Sequence, residues 1–193
     1  MTTQNYFEPR EKGEHAIVLE GNKEIFGSGA LAEVGAHAHH LGMRRVALYT
    51  DPQVGKLPWL ETVEKSLRDR GIRVSIFTGV EIEPSDRSLK AAVRFAEEDD
   101  FDGFVSIGGG SVIDTCKAVS LYASYPPEHF LDYVNQPLGR ALPAPGPLKP
   151  HIACPTTFGT ASECTSVAIF NFLELGTKAG ISNRAIKPAL GIV

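Results

Sequence analysis

The stretch Ile107-Gly108-Gly109-Gly110-Ser111-Val112-Ile113-Asp114-Thr115-Cys116-Lys117 decides the reading of this chain. The apolar segment Phe104-Val105-Ser106-Ile107 runs into three glycines, and a helical pattern begins at once. Val112, Cys116 and Val119 share one stripe of that pattern, with Lys117 off it. A strand, a tight turn and a helix in this order place a helix N-terminus where it faces an anion. Free backbone N–H groups and the positive end of the helix dipole favour phosphate there. The missing Cβ atoms let a phosphate come close to the main chain. Three glycines also make a plain tight turn, and the spacing differs from the G-x-G-x-x-G fingerprint, so both readings stand on this stretch alone.

Outward from that turn the chain alternates. Strands are expected at Ala16-Ile17-Val18-Leu19, at 45–50, at 73–77 and at 103–107. Helical spacing covers 30–41, 59–70 up to Gly71, and 85–98, where Ser85 can cap and Leu89, Val93 and Ala96 form the apolar stripe. The helix after the glycine turn runs to Ser124. Strands alternating with helices predict a parallel sheet covered on both faces, with all strand-to-helix turns at one edge. Asp51, closing the second of these strands, then shares that edge with the glycine turn. From Tyr125 to Pro150 seven prolines break any long element, leaving a short helix at 129–134 and a stiff surface connection over 138–150. A strand at 151–154 follows, then a β pair formed by 166–170 and 179–181.

Bulk properties narrow the classes. With 193 residues the chain suits one domain with a real core. A net charge of −4 offers no basic field to nucleic acid or to an anionic membrane, and no apolar run is long enough to span a bilayer. Residues 1–14 are polar and mixed in charge, unlike a signal or transit peptide. The three cysteines, Cys116, Cys154 and Cys164, form no C-x-x-C pair and read as reduced thiols. Together these features predict a cytoplasmic protein.

Three further groups carry chemistry. Asp51 either accepts hydrogen bonds from ribose hydroxyls, which favours NAD because a carboxylate repels a 2′-phosphate, or caps a turn before Pro52. Pro155-Thr156-Thr157-Phe158-Gly159-Thr160-Ala161-Ser162-Glu163 is a hydroxyl-rich loop leaving a strand; such hydroxyls bond phosphate without adding charge, and they are also ordinary loop residues. His37, His39 and His40 suggest a metal, but with no carboxylate or cysteine beside them they read as a solvated helix end. No nucleophile-and-base signature is present.

Taken together, the glycine turn Gly108 to Lys117, the loop Pro155 to Glu163 and the strand-closing Asp51 resemble the iron-containing (group III) alcohol dehydrogenase family. Within it, 114–117, 121–124, 130–134 and 185–188 are most similar to the hydroxyacid-oxoacid transhydrogenase branch. The resemblance implies an α/β domain with a Rossmann-like parallel sheet, helices on both faces and a small β-hairpin, like the N-terminal domain of dehydroquinate synthase. It implies an NAD-binding domain (NADP being the variant) over residues 1–193. Asp51 would hold the adenosine ribose, Gly109, Gly110 and Ser111 the pyrophosphate, and Asp114 would brace the turn. Thr156, Thr157, Thr160, Thr165 and Val167 would line the path to the nicotinamide, and Lys178 would approach its ribose.

The family's divalent metal, iron or zinc, is held by one Asp and three His of a helical C-terminal half that these residues do not include. Hydride would pass between an alcohol or hydroxyacid and a carbonyl, with little turnover expected from these residues alone. Other readings are a stand-alone dinucleotide-binding module and a lyase-type relative with the same cofactor fold. An apolar face left where a second domain packs would favour self-association, for example as a homodimer.

Overall fold

A computed structural model describes residues 7–9, 15–17, 21 and 23–193. Six parallel strands form the central sheet: β3 (Glu24–Ile25), β4 (Arg45–Tyr49), β5 (Arg73–Phe77), β6 (Gly103–Gly108), β7 (His151–Pro155) and β10 (Leu190–Ile192), in the order β3-β10-β7-β6-β4-β5. Two small antiparallel pairs complete the strands. One joins β1 (Phe7–Pro9) to β2 (His15–Ile17), and the other joins β8 (Val167–Phe172) to β9 (Thr177–Ser182).

The helices are α1 (Val34–His40), α2 (Pro58–Arg68), α3 (Asp86–Ala96) and α4 (Gly110–Ser124). α1 and α2 bury Val34, Leu60, Val63 and Leu67 on one face of the sheet, against Val46, Leu48, Val105 and Ile107. α3 and α4 bury Leu89, Ala92, Val112 and Cys116 on the other face, against Ala47, Tyr49 and Phe104. Neighbouring residues of β4 thus serve opposite cores, as side-chain alternation along a strand requires. All six residues of β6 are buried, which is why it reads as a continuous apolar run rather than an alternating one.

Local chemistry explains the element ends. Pro58 opens α2, where its missing N–H costs nothing. Ser85 caps α3: its hydroxyl accepts from Ser88 N–H at 3.1 Å, while Ser88 Oγ accepts from Ser85 N–H at 2.9 Å.

Two expectations need correction. The strand foreseen at 16–19 does not join the parallel sheet: His15–Ile17 pairs antiparallel with Phe7–Pro9, and Val18 and Leu19 lie outside the described residues. The edge position belongs instead to the two-residue β3, too short to show any period. The helix foreseen at 129–134 is a run of turns, with Asp132 N–H donating to His129 C=O at 2.9 Å and Asp132 Oδ2 accepting from His129 N–H at 3.0 Å. Prolines on both sides leave too few residues to repay helix nucleation.

The strand order sets the place of the site. β4 leads through α2 outward to β5, whereas β6 leads through α4 the other way to β7. The two chains diverge between the carboxyl ends of β4 and β6, which is where open α/β sheets bind ligands.

Candidate functional site

At the divergence, Thr50 Oγ1 donates to Ile107 C=O at 2.8 Å and ties the end of β4 to the end of β6. Asp51 follows, 6% exposed, and its Oδ1 accepts from the N–H groups of Gln53 (2.8 Å) and Val54 (3.0 Å). The capping reading of Asp51 is therefore part of the geometry. Oδ2 takes no part in either bond, so one residue can cap a turn and present a carboxylate oxygen to the edge.

Gly109 is the N-cap of α4 and has no side chain with which to close the helix end. The threonine loop sits over it. A Cβ on Gly109 would lie 3.3 Å from Thr157 Oγ1, and one on Gly110 would run into the Thr160 hydroxyl. Thr160 Oγ1 and Ser162 Oγ are 2.9 Å apart. Thr156 N–H donates to Gly108 C=O at 2.9 Å, which anchors the loop beside the turn. Gly109, Gly110, Thr156, Thr157 and Thr160 are therefore gathered at the start of α4. Ser162 belongs with them; it sits in the quoted loop but carried no role of its own in the sequence reading. On the other side of the loop, Leu31, Trp59, Thr156, Thr157, Phe158 and Val193 line a cavity of about 300 Å³, and Phe158 is 92% exposed.

Asp114, expected to brace the glycine turn, uses both carboxylate oxygens elsewhere. Oδ1 accepts from Lys117 Nζ at 3.3 Å, and Oδ2 accepts from Ile169 N–H at 3.1 Å, joining α4 to β8. Ser111, Asp114 and Lys178 line one cavity of about 170 Å³ together with Glu83 and Asn171. Thr165 and Val167 both hold Lys117. Thr165 Oγ1 accepts from Lys117 Nζ at 3.1 Å, and Val167 C=O accepts from it at 2.9 Å. Lys117, set off the apolar stripe by the sequence, is fully buried. Burial pushes its ammonium below the usual lysine range, with Asp114 opposing.

All three cysteines are free, and burial raises Cys116 above its usual range and Cys154 to about 12, so neither supplies a thiolate. His37 Nε2 lies 3.6 Å from Glu33, one helical turn before it, a carboxylate the sequence reading overlooked; His39 and His40 are exposed. Among the described residues, the one grouping of three metal-ligand side chains is Glu24, Glu163 and Cys164. No histidine joins it, so these residues do not fit a site of one Asp and three His.

The family model "Iron-containing alcohol dehydrogenase" matches residues 22–193. The chain belongs to the iron-containing alcohol dehydrogenase family. Among curated relatives, the mitochondrial hydroxyacid-oxoacid transhydrogenase of Mus musculus is 48% identical over 180 residues, covering 93% of this chain and 39% of the relative. The Homo sapiens protein of the same name is 46% identical over 180 residues, covering 93% of this chain and 38% of the relative. Among solved iron-containing alcohol dehydrogenase relatives, a 1,3-propanediol oxidoreductase superposes with a TM-score of 0.80 at 30% identity, over 89% of this chain and 43% of that one. The NADH-dependent butanol dehydrogenase A of Thermotoga maritima gives 0.81 at 25% identity, over 91% of this chain and 43% of that one. The chain thus spans well under half the length of the family members it matches.

These relatives overturn the expectation of a cytoplasmic location, since the transhydrogenases are named mitochondrial. The expectation rested on free thiols and a polar N-terminal stretch. Neither identifies a compartment, because import addresses are read from leader segments and not from the composition of a folded domain. Among the described residues, no helix is long and apolar enough to cross a membrane.

Proposed function

We propose that residues 1–193 form the dinucleotide-binding half of a metal- and NAD-dependent oxidoreductase that moves hydride between a hydroxyacid or alcohol and a carbonyl. The carrying observation is the start of α4. A 15-residue helix begins on glycines at the divergence of the sheet, with no capping side chain on Gly109 and three hydroxyls packed round the opening. That is a cradle a Cβ would fill, and it suits a diphosphate.

In this reading the N–H groups of Gly110 and Ser111 donate to phosphate oxygens, and the hydroxyls of Thr157 and Thr160 add uncharged donors. Asp51 Oδ2 accepts from a ribose hydroxyl, and its charge opposes a 2′-phosphate, so NAD is preferred to NADP. Lys178 donates to the second ribose. The nicotinamide supplies the hydride acceptor; the chain's own residues bind and orient it. Names of the curated relatives favour a hydroxyacid as donor and an oxoacid as acceptor. Iron or zinc in such an enzyme would polarise the reacting oxygen, and no grouping of one Asp and three His occurs among the described residues.

The test is NAD⁺ binding by calorimetry to wild type, Asp51→Asn and Gly109→Ala. Asp51→Asn keeps an acceptor oxygen for Gln53 and Val54 and removes the charge; NAD⁺ should bind about 10-fold more weakly and the preference over NADP⁺ should shrink. Gly109 has φ −75°, so alanine fits its backbone, yet its methyl projects toward Thr157 into the diphosphate path. At least a 10-fold loss with an unchanged melting temperature is expected. Undiminished binding in both variants overturns the assignment. Gly110→Val is the poorer choice, because valine would strike Thr160 whether or not a ligand binds there.

A further inference from the structure

The loop between β5 and α3 reaches the site from a direction that neither glycine turn nor threonine loop accounts for. Glu83 lies at its tip, with φ at +54°, a left-handed conformation uncommon outside glycine, asparagine and aspartate. Backbone strain of this kind persists only where surrounding bonds over-determine it. Here they do. Glu83 N–H donates to Ser111 Oγ at 3.2 Å, in the first turn of α4. Asn171 Nδ2, from β8, donates to Glu83 C=O at 3.1 Å, and Asn171 N–H donates to Pro84 C=O at 2.8 Å. The Glu83 carboxylate then meets Lys178 of β9, with Nζ 3.4 Å from Oε2. Glu83, Ser111, Asn171 and Lys178 line the same cavity.

We propose that Glu83 is a positioning residue for the distal, nicotinamide-side half of the dinucleotide site, a role that rests on the function proposed above. Its N–H occupies a lone pair of Ser111 Oγ, so the hydroxyl proton of Ser111 is directed away from the loop. Its carboxylate holds the flexible Lys178 side chain at the cavity rim, ready to donate to a sugar hydroxyl. It also offsets the lysine's charge, which suits a subsite taking a neutral ribose rather than a second phosphate. At about 170 Å³ the cavity is sized for a sugar, not for a whole dinucleotide. The strained backbone is what lets one residue reach α4 with its main chain and β9 with its side chain.

Calorimetry on the full chain with NAD⁺ and with ADP separates the possibilities, because ADP carries the diphosphate and adenosine but lacks the distal ribose. Glu83→Gln keeps the backbone bonds and removes the charge. Because the pair is exposed, it should weaken NAD⁺ binding about 2- to 5-fold and leave ADP binding unchanged. In a Lys178→Ala background the same substitution should have no further effect on NAD⁺, because the lysine it positions is gone. Equal loss of NAD⁺ and ADP, no loss of NAD⁺, or a full effect without Lys178 overturns the proposal. Failure of wild type to bind either nucleotide instead overturns the reading of the site on which it rests.

Discussion

Lys117 and Ala161 show what single residues conceal. Lys117 is buried because its three partners complete the ammonium's donor set, and two of them, Thr165 and Val167, lie 48 and 50 residues further along the chain. Helical periodicity marked the residue as off the apolar stripe, and no local pattern could reveal acceptors arriving from β8. Thr165 and Val167 accept from the lysine through a hydroxyl and a backbone carbonyl, for the same reason. Ala161 sits at φ +53° within the threonine loop. A left-handed alanine costs about 1–2 kcal/mol, and glycine there would lose roughly 0.5–1 kcal/mol through the greater freedom of its unfolded chain. Ala161→Gly should therefore raise stability by up to about 1 kcal/mol in urea unfolding; a clear loss would show that the methyl contributes packing that outweighs the strain.

Elements were legible where their chemistry is local. α3 announces itself by Ser85 and a stripe of apolar residues, and the structure adds Ser88 as the reciprocal partner. Ser85→Ala removes that acceptor and should cost about 1 kcal/mol in thermal or urea unfolding; a change below about 0.3 kcal/mol would mean that Glu81, which accepts from Ser85 Oγ at 3.0 Å, is not needed to hold the helix entry. β4, β5, β6 and β7 were visible as short apolar runs, and the β8–β9 pair as two such runs about a turn. β3 was not, since two residues have no period and its identity as a strand comes wholly from β10 beside it. The segment 129–134 failed in the opposite sense. Its composition permits a helix, but Asp132 bonds back to His129 and to Arg140 (3.2 Å) and stabilises turns instead.

At the scale of the molecule, the α4 side of the sheet carries a polar pair that makes stability depend on pH. His151 of β7 is buried, with Nε2 2.8 Å from Ser106 Oγ and Nδ1 without a partner among the described residues. Burial, aided by the charge of Lys117, pushes its pKa down to about 3 from 6.5. The folded chain therefore holds a neutral imidazole that the unfolded chain protonates first. This contribution to stability is complete above about pH 6.5 and is lost as pH falls toward 3, at about 1.4 kcal/mol per pH unit once the unfolded form is protonated. Urea midpoints at pH 7, 6 and 5 should fall for wild type and fall less steeply for His151→Asn; parallel curves would assign the acid sensitivity to carboxylates elsewhere.

The sequence by itself determined the class of the fold, the family, and the glycine turn and threonine loop that meet at the start of α4. Apolar period, capping chemistry and glycine turns act over a few neighbours, and the ends of parallel strands must meet at one edge. Only the tertiary structure decided that Asp51 caps the turn through Oδ1, that Ser162 joins the threonines, and that Glu83 bridges α4 and β9. Those roles depend on contacts between segments distant along the chain, and such contacts exist only once the sheet order has brought the segments together.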